Sequence, residues 1–74
     1  MPEPPEELKK LATIAADMQL PPDLRNKAIE QIGNISTREA LLVLLDLAAN
    51  ERLPFRDRDS ALKQAREVIK KTSQ

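Results

Sequence analysis

Reactions on a protein need side chains that can hold a proton, an electron pair or a metal, and this 74-residue chain has few. It contains no His, Cys, Tyr or Trp. No thiolate or imidazole is present to serve as nucleophile, base or metal ligand, and no disulfide can staple the fold. The acidic groups best placed for acid–base or metal chemistry are Glu39, Asp46 and Glu51. General acid–base catalysis would require one of them to sit in a pocket beside a partner that shifts its pKa. Short helical hairpins enclose little space for such a pocket. The chain therefore reads as non-enzymatic, with no catalytic residue, no cofactor and no metal.

The basic residues offer binding chemistry instead. Lys63, Arg66, Lys70 and Lys71 recur along one C-terminal stretch and could contact nucleic acid. Twelve basic and twelve acidic residues cancel, however, so no net field favours a polyanion or an anionic membrane. Stacking aromatics are missing too, which counts against nucleic acid as a partner. The run Glu51-Arg52-Leu53-Pro54-Phe55-Arg56-Asp57-Arg58-Asp59 is dense in both charges and holds the one aromatic, Phe55. It reads as a solvated helix start with Phe55 tucked onto the core, with a recognition loop as the alternative.

These groups must be positioned by helices. A single Gly and abundant Leu, Ala, Lys, Glu and Arg specify an all-α chain. At 41% apolar the composition supports a core. The strongest signal is Ser36–Asn50, STREALLVLLDLAAN. Ser36 is the expected N-cap, Glu39 completes a capping box, and Ile35 is placed to act as a staple. Only Glu39, Asp46 and Asn50 form a polar stripe on this helix. A helix apolar on most sides is buried in a bundle or in a membrane. This one is too short for a bilayer, which needs about 20 residues, so it is expected to lie among the other helices.

Around it, residues 1–5 form a Pro-rich flexible lead-in. Helix 1 is predicted over 6–18, with Leu8, Leu11, Ala12, Ile14, Ala15 and Met18 on its apolar face. Helix 2 is predicted over 22–32, opened by Pro22. Leu24, Ala28, Ile29 and Ile32 should point inward, and Gly33-Asn34 should form a left-handed C-cap. Helix 4 is predicted over 55–71, burying Ala61, Leu62, Ala65, Val68 and Ile69, with residues 72–74 as a frayed tail. Residues 6–71 thus make one helical domain. Without an N-terminal apolar run, a cytoplasmic location is expected. The initiating Met1 and the fraying ends suggest a whole gene product.

The chain also matches itself when shifted by thirty-three residues. Leu8 falls on Leu41, Leu11 on Leu44, Ile14 on Leu47 and Ala15 on Ala48. Leu20-Pro21 falls on Leu53-Pro54, Arg25 on Arg58, Ala28 on Ala61 and Ile29 on Leu62. Four antiparallel helices are therefore expected as two repeated hairpins, about 6–35 and 36–71. They could form a short stack or an up-down bundle. Within this repeat, Leu24-Arg25-x-x-Ala28-Ile29-x-x-Ile32-Gly33 resembles the second helix of HEAT-type repeats, and residues 8–20 resemble the first. The Leu-Pro turn and the short unit depart from that pattern, and Asp57 stands where an aliphatic residue is usual. The spacing from Pro21 to Arg25 and from Pro54 to Arg58 is also similar to that of short archaeal helical proteins of unknown function. Tetratricopeptide signature residues are missing. The HEAT resemblance implies a protein-binding scaffold and no catalytic residue.

Arg25 and Arg58 are best read as structural, each forming an inter-helix salt bridge, with Asp17 or Asp46 as possible acceptors. The alternative is a pair of anion or partner contacts. Leu42 and Val43 stand where helix 1 has Lys9 and Lys10. Either helix 3 uses them internally, against helices 2 and 4, or they form an apolar strip with Leu47 that binds a second molecule. A stack of two units is small, and repeat stacks usually need three or more, so a homodimer or another protein partner through Leu42, Val43 and Leu47 is the expected function. A nucleic-acid accessory role for the basic face of helix 4 is the runner-up.

Overall fold

The structure is a computed structural model that describes residues 6–72. The expected lead-in 1–5 and the end of the tail, 73–74, lie outside the described residues. Four helices run α1 (Glu6–Ala15), α2 (Pro22–Ile35), α3 (Arg38–Ala49) and α4 (Phe55–Thr72), with no strand among the described residues. The fold is all-α, and its helices pair as two antiparallel hairpins, α1 with α2 and α3 with α4.

The two hairpins turn in the same way. Asp17 Oδ1 accepts from the Gln19 amide at 2.9 Å, and the Leu20 amide donates to the Asp17 carbonyl at 3.1 Å. Thirty-three residues on, Asn50 Oδ1 accepts from the Arg52 amide at 3.0 Å, and the Leu53 amide donates to the Asn50 carbonyl at 3.1 Å. Asp and Asn favour this local bond because their short side chains reach the backbone two residues ahead. Pro21 and Pro54 then open the next helices, and each carbonyl accepts from the amides three and four residues later. The turn ends α1 at Ala15, three residues earlier than expected.

Between the hairpins the chain departs from its expected caps. Helix α2 does not stop at Gly33 but continues to Ile35. Ser36 is its C-cap, in the left-handed region at φ 56°, and its Oγ donates to the Gly33 carbonyl at 2.8 Å. The N-cap of α3 is Thr37, whose Oγ1 accepts from the Ala40 amide at 3.1 Å. Two adjacent hydroxyls thus divide the junction, one ending a helix and one starting the next. With Thr37 as the cap, the position three residues on is Ala40, so Glu39 closes no capping box. Helix α4 extends through Thr72, which had been expected to fray. Its Oγ1 donates back to the Val68 carbonyl at 2.9 Å.

Helix α2, rather than α3, is the middle of the molecule. It packs on α1, α3 and α4, whereas α1 and α3 barely meet. The core gathers Leu8 and Ala15 from α1, Ala28, Ile29 and Ile32 from α2, Ala40, Leu44 and Leu47 from α3, Leu53 from the turn, and Ala61, Ala65 and Val68 from α4. Three residues assigned inward from periodicity, Leu24, Leu62 and Ile69, are exposed instead, as are Ile14 and Met18. A helical wheel gives a correct apolar face but not which edge of it has a neighbour.

Two contacts join the hairpins. Arg25 of α2 donates from Nε to Asp57 Oδ2 of α4 at 2.6 Å, with both side chains almost wholly buried. Arg25 also donates from Nη1 to the Leu20 carbonyl at 2.7 Å. Of the two expected salt bridges only that of Arg25 forms among the described residues, and it joins the two hairpins through Asp57 rather than bracing one hairpin through Asp17 or Asp46. Asp57 lies in the first turn of α4, where the helix dipole favours a negative charge. The second contact is a close approach. A Cβ on Gly33 would collide with the Gln64 amide oxygen and lie 2.9 Å from its Cδ and 3.2 Å from its Cβ. A side chain here would make the Gln64 amide swing away and its Cβ give by a few tenths of an ångström.

Truncating one partner of a buried ion pair leaves the other charge without compensation, typically at a cost of about 3–5 kcal/mol. Asp57→Ala should therefore lower the urea midpoint severely, and Arg25→Met together with Asp57→Leu should recover most of the loss. A mild effect of Asp57→Ala would show that the pair is not needed. Gly33→Ala should destabilise the wild-type chain by at least about 1 kcal/mol more than it destabilises a Gln64→Ala chain. Equal effects in both backgrounds would locate the cost elsewhere.

Candidate interaction surface

The structure separates the three residues proposed for an interface. Leu42 is 51% exposed, Val43 is half-buried against the core, and Leu47 belongs to the core itself. The reason lies in their spacing. Leu44 and Leu47 share the side of α3 that faces the other helices, with Ala40 one turn earlier. Leu42 falls on the opposite side, next to exposed Leu45. Helix 3 therefore uses Val43 and Leu47 internally and presents Leu42 outward.

The larger apolar surface is on α4. Phe55, Leu62 and Ile69 are 79%, 45% and 46% exposed. Seven-residue spacing keeps them in one stripe, drifting only about 20° per heptad. Phe55 is the first residue of α4 and touches water along most of its ring, so it is neither tucked onto the core nor placed in a loop. Around α4 the order is clear. The buried side holds Asp57, Ala61, Ala65 and Val68. Next comes Arg58, which donates from Nε to the Ala48 carbonyl of α3 at 2.9 Å. Beyond it lies the apolar stripe, so the stripe borders α3. Arg58 thus ties α4 to the end of α3, as Arg25 ties α2 to the turn at Leu20, and both arginines stabilise their own hairpins.

The thirty-three-residue register explains why this stripe is open. Residues on the side of hairpin 1 that faces hairpin 2 are buried, and their counterparts in hairpin 2 are not. Ile29 is buried and Leu62 exposed; Gly33 is buried and Arg66 exposed; Arg25 is buried and Arg58 only partly so. On the other side the asymmetry reverses. Leu47, Leu53 and Asp57 are buried, while Ile14, Leu20 and Leu24 are exposed or half-exposed. Each hairpin has two such sides, and only the inner pair meets.

The remaining candidates do not assemble. Glu39, Asp46 and Glu51 are all exposed. Among the described residues, no three His, Cys, Asp or Glu side chains gather as a metal site requires. In the basic set, Lys63 pairs with Asp59 at 3.2 Å and Lys70 with Glu67 at 3.7 Å, so part of its charge is answered within the helix. An open groove of about 480 Å³ runs between α2 and α4, with Asn26, Ile29, Ser60 and Gln64 in its lining and Phe55 and Asp59 of the α4 surface also along it. Asn26 at its base donates to the Pro22 carbonyl at 3.1 Å, and its Oδ1 has no partner. Among the described residues, no helix is long and apolar enough to cross a membrane. No family model, curated protein or solved structure matches the chain.

Sequence reasoning missed the Phe55–Leu62–Ile69 stripe because Leu62 and Ile69 also fit a core-facing pattern. The signal available was Phe55 seven residues before Leu62. Burial also predicts how the original trio behaves. Leu47→Ala should cost about 2–5 kcal/mol, as large-to-small core changes do. Leu42→Ala should change the thermal midpoint little. Comparable losses at both positions would contradict their assignment to core and surface.

Proposed function

We propose that this chain is a small, non-enzymatic protein–protein interaction module that associates with itself through the open side of its second hairpin. The observation that carries this reading is the exposure of Phe55, Leu62 and Ile69 in one stripe. Aromatic residues are enriched in the buried centre of interfaces and depleted of reasons to stay in water. Scattered apolar residues on a surface are ordinary, whereas a contiguous set suggests a contact. The resemblance to HEAT-type repeats supports the same class of function, since such repeats present helical faces to protein partners. The interface is accordingly recentred from Leu42, Val43 and Leu47 onto α4, with Leu42 and Leu45 of α3 beside it. Burial of this face also answers the size problem, because a chain this short gains little from its own core. A nucleic-acid role for Lys63, Arg66, Lys70 and Lys71 has less support, given the pairing of two of them with acids on α4.

Association that favours the folded state makes the thermal midpoint depend on protein concentration. The wild-type midpoint should rise by several degrees across a hundredfold range. Leu62→Glu should remain helical by circular dichroism and lose that dependence. A wild-type midpoint that is flat across the range would overturn self-association.

A further inference from the structure

We propose that the open face is occupied by a second copy of this chain, with the two α4 helices crossing antiparallel about a two-fold axis at Leu62. This rests on the self-association reading and adds its geometry. The stripe is symmetric about Leu62, because Phe55 lies seven residues before it and Ile69 seven after. In an antiparallel crossing Leu62 meets Leu62, and Phe55 meets Ile69 at both ends. At about 1.5 Å per residue the stripe is about 21 Å long, enough for four turns of contact.

The charges beside the stripe fit the same register. Asp59 lies three residues before Leu62 and Arg66 four after, so both sit on one flank of the stripe. An antiparallel pair brings Asp59 of one copy within one residue of Arg66 on the other, twice by symmetry. In a parallel two-fold pair this flank falls on opposite sides of the seam in the two copies, so Asp59 and Arg66 of one copy do not meet those of the other. Opposite-charge pairs flanking an apolar seam set helix orientation, and only the antiparallel register forms these. Arg66 is exposed and has no ion-pair partner among the described residues. Among the described residues Asp59 pairs with Lys63, in an exposed contact of the kind that contributes little.

The molecule also disfavours the other way of covering this face, which is to continue the stack head to tail. The join between its own hairpins uses Arg25 against Asp57 and Gly33 against Gln64. At a head-to-tail join the equivalent positions would be Arg58 against Leu24 and Arg66 against Gln31. Arg58 would find no carboxylate, and Arg66 would put a long charged side chain where the internal join has none, against Gln31. A closed two-fold dimer avoids both conflicts and consumes the α4 face, so that face cannot propagate an open polymer.

Because the chain has no cysteine, single substitutions give clean cross-links. Under mild oxidation Leu62→Cys should form a disulfide-linked dimer, while Phe55→Cys should cross-link efficiently only when mixed with Ile69→Cys. Asp59→Arg and Arg66→Asp should each weaken dimerisation about tenfold by sedimentation, and the double variant should restore it. Circular dichroism checks that each variant is folded. A wild-type dimer whose charge reversals show no rescue, or whose Phe55→Cys links to itself as readily as to Ile69→Cys, would overturn the antiparallel geometry while leaving self-association standing. A wild-type chain that stays monomeric would overturn both.

Discussion

The ion pair between Arg25 and Asp57 is the constraint on which the rest of the molecule depends. Both side chains are withdrawn from water, and two buried charges are tolerable only when each answers the other at short range. Their 2.6 Å contact fixes the distance and rotation of α4 relative to α2. A second bond from Arg25, to the Leu20 carbonyl, fastens the same guanidinium to the turn of the first hairpin. One side chain therefore links both hairpins and one connection. Further along the same helices, Gly33 lets Gln64 approach α2 closely. The ion pair at one end and the close contact of Gly33 with Gln64 at the other join the two hairpins, and the aliphatic core fills the space between.

That join is made once. The self-match of the chain gives each hairpin an arginine at the same place, yet only the second hairpin carries an aspartate at the position before it. Leu24 occupies that position in the first hairpin and faces water. The asymmetry specifies which sides meet, and it leaves the two outer sides of the stack different from the inner ones. Hydrophobic residues on those outer sides are the consequence of a repeat whose units share an apolar pattern but have neighbours on one side only.

Much of this was legible in the residues. Leu-Pro at 20–21 and 53–54 marked both turns, because proline opens a helix but interrupts one in progress. The thirty-three-residue register marked the hairpins, and the structural role of Arg25 followed from its recurrence. Three features were not legible, each for a physical reason. Ser36 and Thr37 are both competent caps, and the choice between them depends on α2 continuing past Gly33 to Ile35, where Ser36 ends it. Asp57 looked like a defect in the repeat, since nothing local shows that a carboxylate will meet an arginine on another helix. Leu62 and Ile69 looked like core because periodicity records an apolar face without recording its neighbour, and Phe55 looked like core because aromatics usually are.

The same missing neighbour is the centre of the functional account, in which the stripe left open by the fold is covered by association. The most direct measurement is the molar mass of the unaltered chain by light scattering on a sizing column, over a dilution series. A mass of twice 8.3 kDa at high concentration, declining toward the single-chain value on dilution, is the predicted result. A mass of 8.3 kDa at every concentration, up to about a millimolar where even weak contacts form, would contradict it.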